Sequence, residues 1–241
     1  MTISTTREQI LQNTYHFFLD FFNDRSEKYR KQKFSDFKVN PFTIQATAKG
    51  LSGSIGADSI SKAIVYPFAF GTSIATSFGT NLQKFIVTTM GDQIAKPSLI
   101  SGMDIEYIDQ IDNRRKYCQL KSGPTTINKD DIKTIEDHFM GLRNLARTNH
   151  LAITADDPVV GVLYGSHYDL STMYKTIQND GYNVLAGEEF WLHLTGYENL
   201  YKDLVNQAQI AANNSAMQKS VDKLLSTVKD GIEQNEDFFG I

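Results

Sequence analysis

The chain has 241 residues, 41% hydrophobic and 22% charged, with a formal net charge of −4. This is the balance of an ordinary soluble globular protein, long enough to bury about 70–75% of its unfolded surface. The mild acidity argues against a purely electrostatic nucleic-acid binder, although an acidic exterior can coexist with a basic cleft.

Residues 1–9 lack the basic region and apolar run of a secretory signal. Thr5 or Thr6 can cap a helix whose apolar residues, Ile10, Leu11, Tyr15, Phe18, Leu19 and Phe22, recur every three or four positions. The charged stretch 25–33, with Lys28, Arg30, Lys31 and Lys33, reads as a solvated helix face, a linker or a phosphate-contacting arm. Asn40-Pro41-Phe42 restarts order, with proline early in a helix. After Gly50, Gly53 and Gly56, a long segment rich in Ala, Ile and Phe runs from Asp58 to Met90-Gly91. Pro67, Gly71 and Gly79 divide it into two or more helices. Its apolar tract, residues 63–70, is too short to span a bilayer, so no membrane partner is expected.

From Ile100 the pattern changes. Residues 103–109 and 116–121 are strand-like and flank the polar turn Gln110-Ile111-Asp112-Asn113-Arg114, the signature of a β-hairpin. A turn centred between Ile111 and Asp112 sets Asp104 opposite Gln119. Alternation then puts Asp104 and Glu106 on one face, and Gln119 and Lys121 likewise. Opposed Cβ atoms lie roughly 5 Å apart and diagonal ones roughly 7–8 Å. A carboxylate, an amide oxygen and an ammonium thus gather at one end of the hairpin, provided the register does not slip. Cys118, the single cysteine, points to the other, buried face as a small apolar residue. One cysteine excludes an intrachain disulfide and any multi-thiolate zinc site, and points to a reducing, cytoplasmic setting.

Ser122-Gly123-Pro124 ends the second strand. Asn128 caps a helix over residues 129–147, with Ile132, Ile135, Phe139 and Leu142 as its apolar stripe. The run Val159-Val160-Gly161-Val162-Leu163-Tyr164 reads as a buried central strand. Phe190-Trp191 is taken as an aromatic turn with core side chains, and residues 197–229 as two helices divided near Asn213-Asn214. The order helices, strand, strand, helix, strand, helices is an α/β fold with a mixed central sheet, flanking helices and helix-rich ends.

Magnesium-assisted phosphodiester hydrolysis needs hard oxygen ligands and a group that orients water or stabilises developing charge. Asp104 would be the main ligand, the Leu120 backbone carbonyl a second and the Gln119 amide oxygen a third. Lys121 would orient or polarise the water. Around them, Ser122, Thr125, Asn128 and Lys129 form a polar loop and helix start suited to DNA backbone contacts, and capping explains Asn128 equally well. Lys133, Arg143 and Arg147 suit phosphates or a solvated helix face alike. Ser166, His167 and Tyr168, after the third strand, could reach base edges, and His167 could equally be just exposed. His16, His138, His150 and His193 have no metal-ligand spacing.

The string Asp104-Ile105-Glu106 with Gln119-Leu120-Lys121-Ser122-Gly123-Pro124 and the following helix resembles the PD-(D/E)xK nuclease superfamily, and most of all a type II restriction endonuclease. Asn40-Pro41-Phe42, Ser77-Phe78-Gly79-Thr80-Asn81-Leu82, Gly161-Val162-Leu163-Tyr164-Gly165 and Gly187-Glu188-Glu189-Phe190-Trp191 are similar to blocks of one restriction-enzyme subgroup, which extends the likeness over residues 38 to 203. The resemblance implies a restriction-endonuclease-like core in a single catalytic domain, 1–241, with a mainly helical part at 1–92, the catalytic core at 100–165 and a helical part at 182–235. It implies Mg²⁺-dependent, sequence-specific hydrolysis of double-stranded DNA at a palindromic or interrupted palindromic site by a homodimer, leaving a 5′-phosphate. Two positions depart from the pattern: Gln119 stands where the superfamily usually has Glu, and Gln83 where an upstream helix often adds one. Glu106 is an auxiliary candidate that could compensate. The alternatives are a structure-specific or repair nuclease of the same superfamily, and an inactive DNA-binding relative.

Overall fold

The computed structural model describes residues 5–150 and 152–241. The chain folds into two compact units. One gathers Gly79–Gln207 with the start of the chain up to Phe17, and the other gathers Phe18–Phe78 with Ala208–Ile241.

Helix α1 (Arg7–Lys31) starts at the expected threonine. Thr6 Oγ1 accepts from Gln9 N at 3.3 Å and Gln9 Oε1 accepts from Thr6 N at 2.9 Å, a reciprocal cap. The charged stretch is therefore mostly the last turns of a helix rather than a linker. In the second unit, Asn40 caps α2 (Pro41–Ser52) by accepting from Phe42 N at 3.0 Å. Helix α3 (Ala57–Tyr66) runs into a π-helical stretch (Pro67–Ile74) and then α4 (Ala75–Thr80). Pro67 has no N–H to continue the α ladder, and the pattern changes there. Helix α10 (Met217–Glu233) packs Val221, Leu224, Val228 and Ile232 against Ile60, Ile64 and Val65 of α3. Gly231 lets Phe34 close on α10, because a Cβ there would come 2.2 Å from the Phe34 ring. The chain ends in α11 (Glu236–Phe239).

The first unit holds a five-stranded mixed sheet in the order β1-β2-β3-β4-β5: Ala95–Pro97, Ile105–Ile108, Arg115–Lys121, Pro158–Val162 and Asn183–Ala186. β1, β2 and β3 pair antiparallel, whereas β3, β4 and β5 pair parallel. Helix α6 (Lys129–Thr148) connects β3 to β4 and α7 (Thr172–Asn179) connects β4 to β5. α6 begins as expected, with Asn128 Oδ1 accepting from Asp130 N at 2.7 Å and Asp131 N at 3.1 Å. Ile135, Phe139 and Leu142 of α6 and Tyr174 and Ile177 of α7 cover one face of the sheet, over Tyr117, Val160, Val162 and Val184. On the other face Cys118 is fully buried beside the Phe190 ring. Phe190-Trp191 lies inside α8 (Glu188–Thr195), not in a turn, and both side chains are core as expected. Helix α5 (Leu82–Met90) brings Phe85 against Trp191, their ring centroids 6.2 Å apart. α9 (Leu200–Asn214) and α10 are the two helices expected over residues 197–229, divided where Asn213-Asn214 marks the break. β1, α7 and β5 are additions to the expected order. No helix among the described residues is long and apolar enough to cross a membrane.

Candidate active site

The hairpin register is the expected one. Ile105 pairs with Cys118, Glu106 with Tyr117 and Tyr107 with Lys116. At the start of β2 the ladder departs from simple opposition. Asp104 N also reaches Cys118 O, at 2.8 Å. Two residues facing one is the pattern of a β-bulge, which re-aims the side chain at the bulge. The Asp104 carboxylate folds over the strand edge, and its Oδ2 accepts from Leu120 N at 2.7 Å.

That bond orients the edge of β3. The N–H and C=O of one strand residue point to the same side, so the Leu120 carbonyl also faces the Asp104 side. The neighbouring carbonyl, Lys121 O, points the other way and accepts from Leu163 N at 3.1 Å. Gln119 and Lys121 alternate with Cys118 and Leu120 and share the α6 face with Tyr117 and Val160. Burial pushes the Asp104 carboxyl up, opposed by the Leu120 N–H and the charge of Lys121. Gln119 is buried, and its Nε2 lies 2.8 Å from His138 Nδ1 on α6. Its other polar atom, Oε1, is buried with no hydrogen-bond partner among the described residues.

The structure therefore brings Asp104, Gln119, the Leu120 backbone and Lys121 together. Gln83, on the first turn of α5, joins them by donating from Nε2 to Asp104 O at 2.6 Å. Glu106 turns elsewhere. It accepts from Arg115 Nη1 at 3.0 Å and from Ser98 Oγ at 3.1 Å, with Lys96 at 3.4 Å. His138, set aside in the sequence for want of ligand spacing, is part of the cluster. Its signal was positional: it lies three residues after Ile135 and four before Leu142, on the sheet-facing stripe of α6.

The cluster sits where the parallel strands β3, β4 and β5 end, the usual ligand end of such sheets. The turn after β3 is held there by its neighbours. Ser171 N donates to Pro124 O at 3.0 Å and Tyr174 Oη donates to Gly123 O at 3.0 Å. Burial pushes the Tyr174 phenol up to about 12, so it stays protonated and keeps donating. Gly123 lies so close to Tyr164 that a Cβ would come 2.4 Å from its hydroxyl. Along this rim Ser122 is half-buried, whereas Thr125, Asn128, Lys129 and Lys133 are exposed. His167 is exposed, with Nε2 at 2.9 Å from Gln178 Nε2 and Nδ1 at 3.8 Å from Glu189. Tyr168 is 95% exposed. Arg143 stacks its guanidinium 4.8 Å from the Tyr182 ring centre, away from the exposed rim.

Carboxylate, amide and backbone carbonyl oxygens are the hard donors that magnesium takes while keeping several waters. A buried unpartnered acceptor costs about 1–3 kcal/mol unless something satisfies it, and Gln119 Oε1 is such an atom. The donor set fits a small divalent cation. Among the described residues no three His, Cys, Asp or Glu side chains cluster as a metal-ligand set, so a histidine- or thiolate-rich centre is not what this cluster offers. Compared with known protein families, the chain matches the model described as Type II restriction endonuclease EcoO109I, over residues 8–216. The search of curated proteins gave no match.

Proposed function

The chain belongs to the Type II restriction endonuclease EcoO109I family, a family of nucleases acting on DNA, and on that premise we propose that it hydrolyses double-stranded DNA at a palindromic or interrupted palindromic site through the cluster at Asp104, in the manner of a PD-(D/E)xK enzyme. The observation that carries this reading is the pairing of the re-aimed Asp104 carboxylate with the edge of β3, beside the buried, unpartnered Gln119 Oε1.

Asp104, Gln119 Oε1 and the Leu120 carbonyl would hold Mg²⁺. When bound, the ion supplies Lewis-acid polarisation of the phosphate and a more acidic water. Lys121 orients that water and meets the negative charge that develops on the phosphate oxygens. Water adds to phosphorus, the bond to the 3′ oxygen breaks, and the products are a 5′-phosphate and a 3′-hydroxyl. Gln83 secures the backbone of Asp104 and so its aim. Ser122, Thr125, Asn128, Lys129 and His167 are the candidates for DNA contacts along the rim. A two-fold symmetric site calls for a two-fold symmetric reader, so the working form is a homodimer.

The test is incubation with phage DNA and Mg²⁺, followed by end sequencing of the fragments. Discrete fragments with common ends are expected. Branch-selective nicking or an unbroken substrate would overturn the reading. Lys121→Ala should lower the cutting rate by roughly 10²–10⁴-fold while leaving DNA affinity nearly unchanged. A variant that cuts as fast as the parent would remove Lys121 from the mechanism.

A further inference from the structure

An amide is an ambiguous metal ligand. Its oxygen and nitrogen have nearly the same shape, and only the oxygen can face a cation. A carboxylate offers oxygen in either orientation and needs no help. Gln119 does need help, and the structure supplies it.

Gln119 Nε2 lies 2.8 Å from His138 Nδ1. The amide nitrogen only donates, so Nδ1 accepts and the imidazole carries its proton on Nε2. With Nε2 committed to His138, Gln119 Oε1 points the other way, where it is buried without a partner. The imidazole is itself held. Gly102 has φ +83°, and a Cβ built on it would come 2.3 Å from His138 Cγ. Any side chain at position 102 would occupy the place of the ring, so the bare backbone forms one wall of the histidine's slot.

We propose that His138 is a positioning residue that fixes the Gln119 amide with its oxygen toward the cation. The inference rests on the metal-site reading above and adds a partner to it: the neutral ligand is usable because the histidine sorts its two ends.

The test is a double-mutant cycle read by Mn²⁺ binding to the full chain without DNA, followed by electron paramagnetic resonance. Circular dichroism and melting of each variant check the fold. His138→Ala should weaken Mn²⁺ binding by roughly 10–100-fold, the usual cost of losing a group that orients a ligand. His138→Asn, which can place an acceptor oxygen where Nδ1 stood, should recover much of the loss. In a Gln119→Glu background the same His138→Ala change should cost almost nothing, because a carboxylate has no wrong end. Unchanged Mn²⁺ binding in His138→Ala would overturn the proposal. So would an equal loss in both backgrounds, which would mean a purely structural histidine. Asp104→Ala separates the two levels of the argument. If it abolishes Mn²⁺ binding while His138→Ala does not, the positioning role alone fails. If Asp104→Ala leaves the ion bound, the site reading and the proposal fall together.

Discussion

At position 119 the choice of amide over carboxylate sets the electrostatics of the site. The proposed donor set holds one carboxylate, Asp104, so it would contribute little charge to a divalent ion. Unit opposite charges 4 Å apart are worth about 1 kcal/mol in water and about 4 at the effective dielectric of a protein surface. Gln119→Glu is therefore expected to tighten Mn²⁺ binding by roughly tenfold or more, read by the same titration. Weaker binding in that variant would show that position 119 does not face the ion. Lys121 is different in kind. Its charge acts on Asp104 across space, and no direct ion pair ties it to Asp104 among the described residues, which suits the ammonium to a role toward water and phosphate.

The hairpin and its neighbour strand are the elements that hold these residues in place, and two features of them are testable. Asp157, at the start of β4, is buried to 2% and accepts from Arg114 Nε at 2.8 Å, Arg114 Nη2 at 2.6 Å and Thr154 N at 2.6 Å. Burial works to raise its carboxyl, but the Arg114 and Thr154 hydrogen bonds outweigh it and hold the group below the usual carboxylate range. The unfolded chain therefore takes up this proton at a higher pH than the folded one. The stabilisation is complete above the usual carboxylate range and is lost as pH falls through that range to the lower folded value. Asp157→Ala should cost roughly 2–4 kcal/mol at neutral pH, and the gap from the parent should narrow in acid, as measured by urea unfolding. A gap that is flat with pH would refute the role given to this carboxylate. The second feature is Gly161, which lies across from Leu120 in the β3–β4 ladder. A Cβ there would come 2.5 Å from Phe190 Cε2 and 2.8 Å from Cys118 Sγ. Gly161→Ala should lower stability by about 1–3 kcal/mol through overpacking, with an unchanged denaturant slope.

As a whole the molecule is acidic, with a formal charge of −4, yet its family acts on DNA. Any phosphate contacts must come from local clusters such as Lys129 and Lys133 on the first turns of α6. Binding measured without divalent ions should fall linearly in log–log terms with salt, at about 0.9 per phosphate neutralised. A slope near zero would count against phosphate contacts as the source of affinity. The dimer expectation belongs to the same scale: light scattering should give twice the chain mass of 27.2 kDa at concentrations where both strands are cut.

Much of this was legible along the chain because its causes are local. Turn residues and alternation gave the register of β2 and β3 from Ile105–Cys118 to Ile108–Arg115. Caps gave the starts of α1 and α6, since Thr6 and Asn128 bond to backbone two or three residues away, and Pro41 gave the start of α2. β1 and β5, with three and four residues, escaped notice because strands so short have too little pattern of their own and gain identity only by pairing. The bulge at Asp104 and the bond between Gln119 and His138 were decided only in three dimensions. The first depends on which carbonyl two successive N–H groups share. The second joins residues 19 apart through the way α6 crosses β3, a packing angle set by the apolar stripe as a whole rather than by any motif along it.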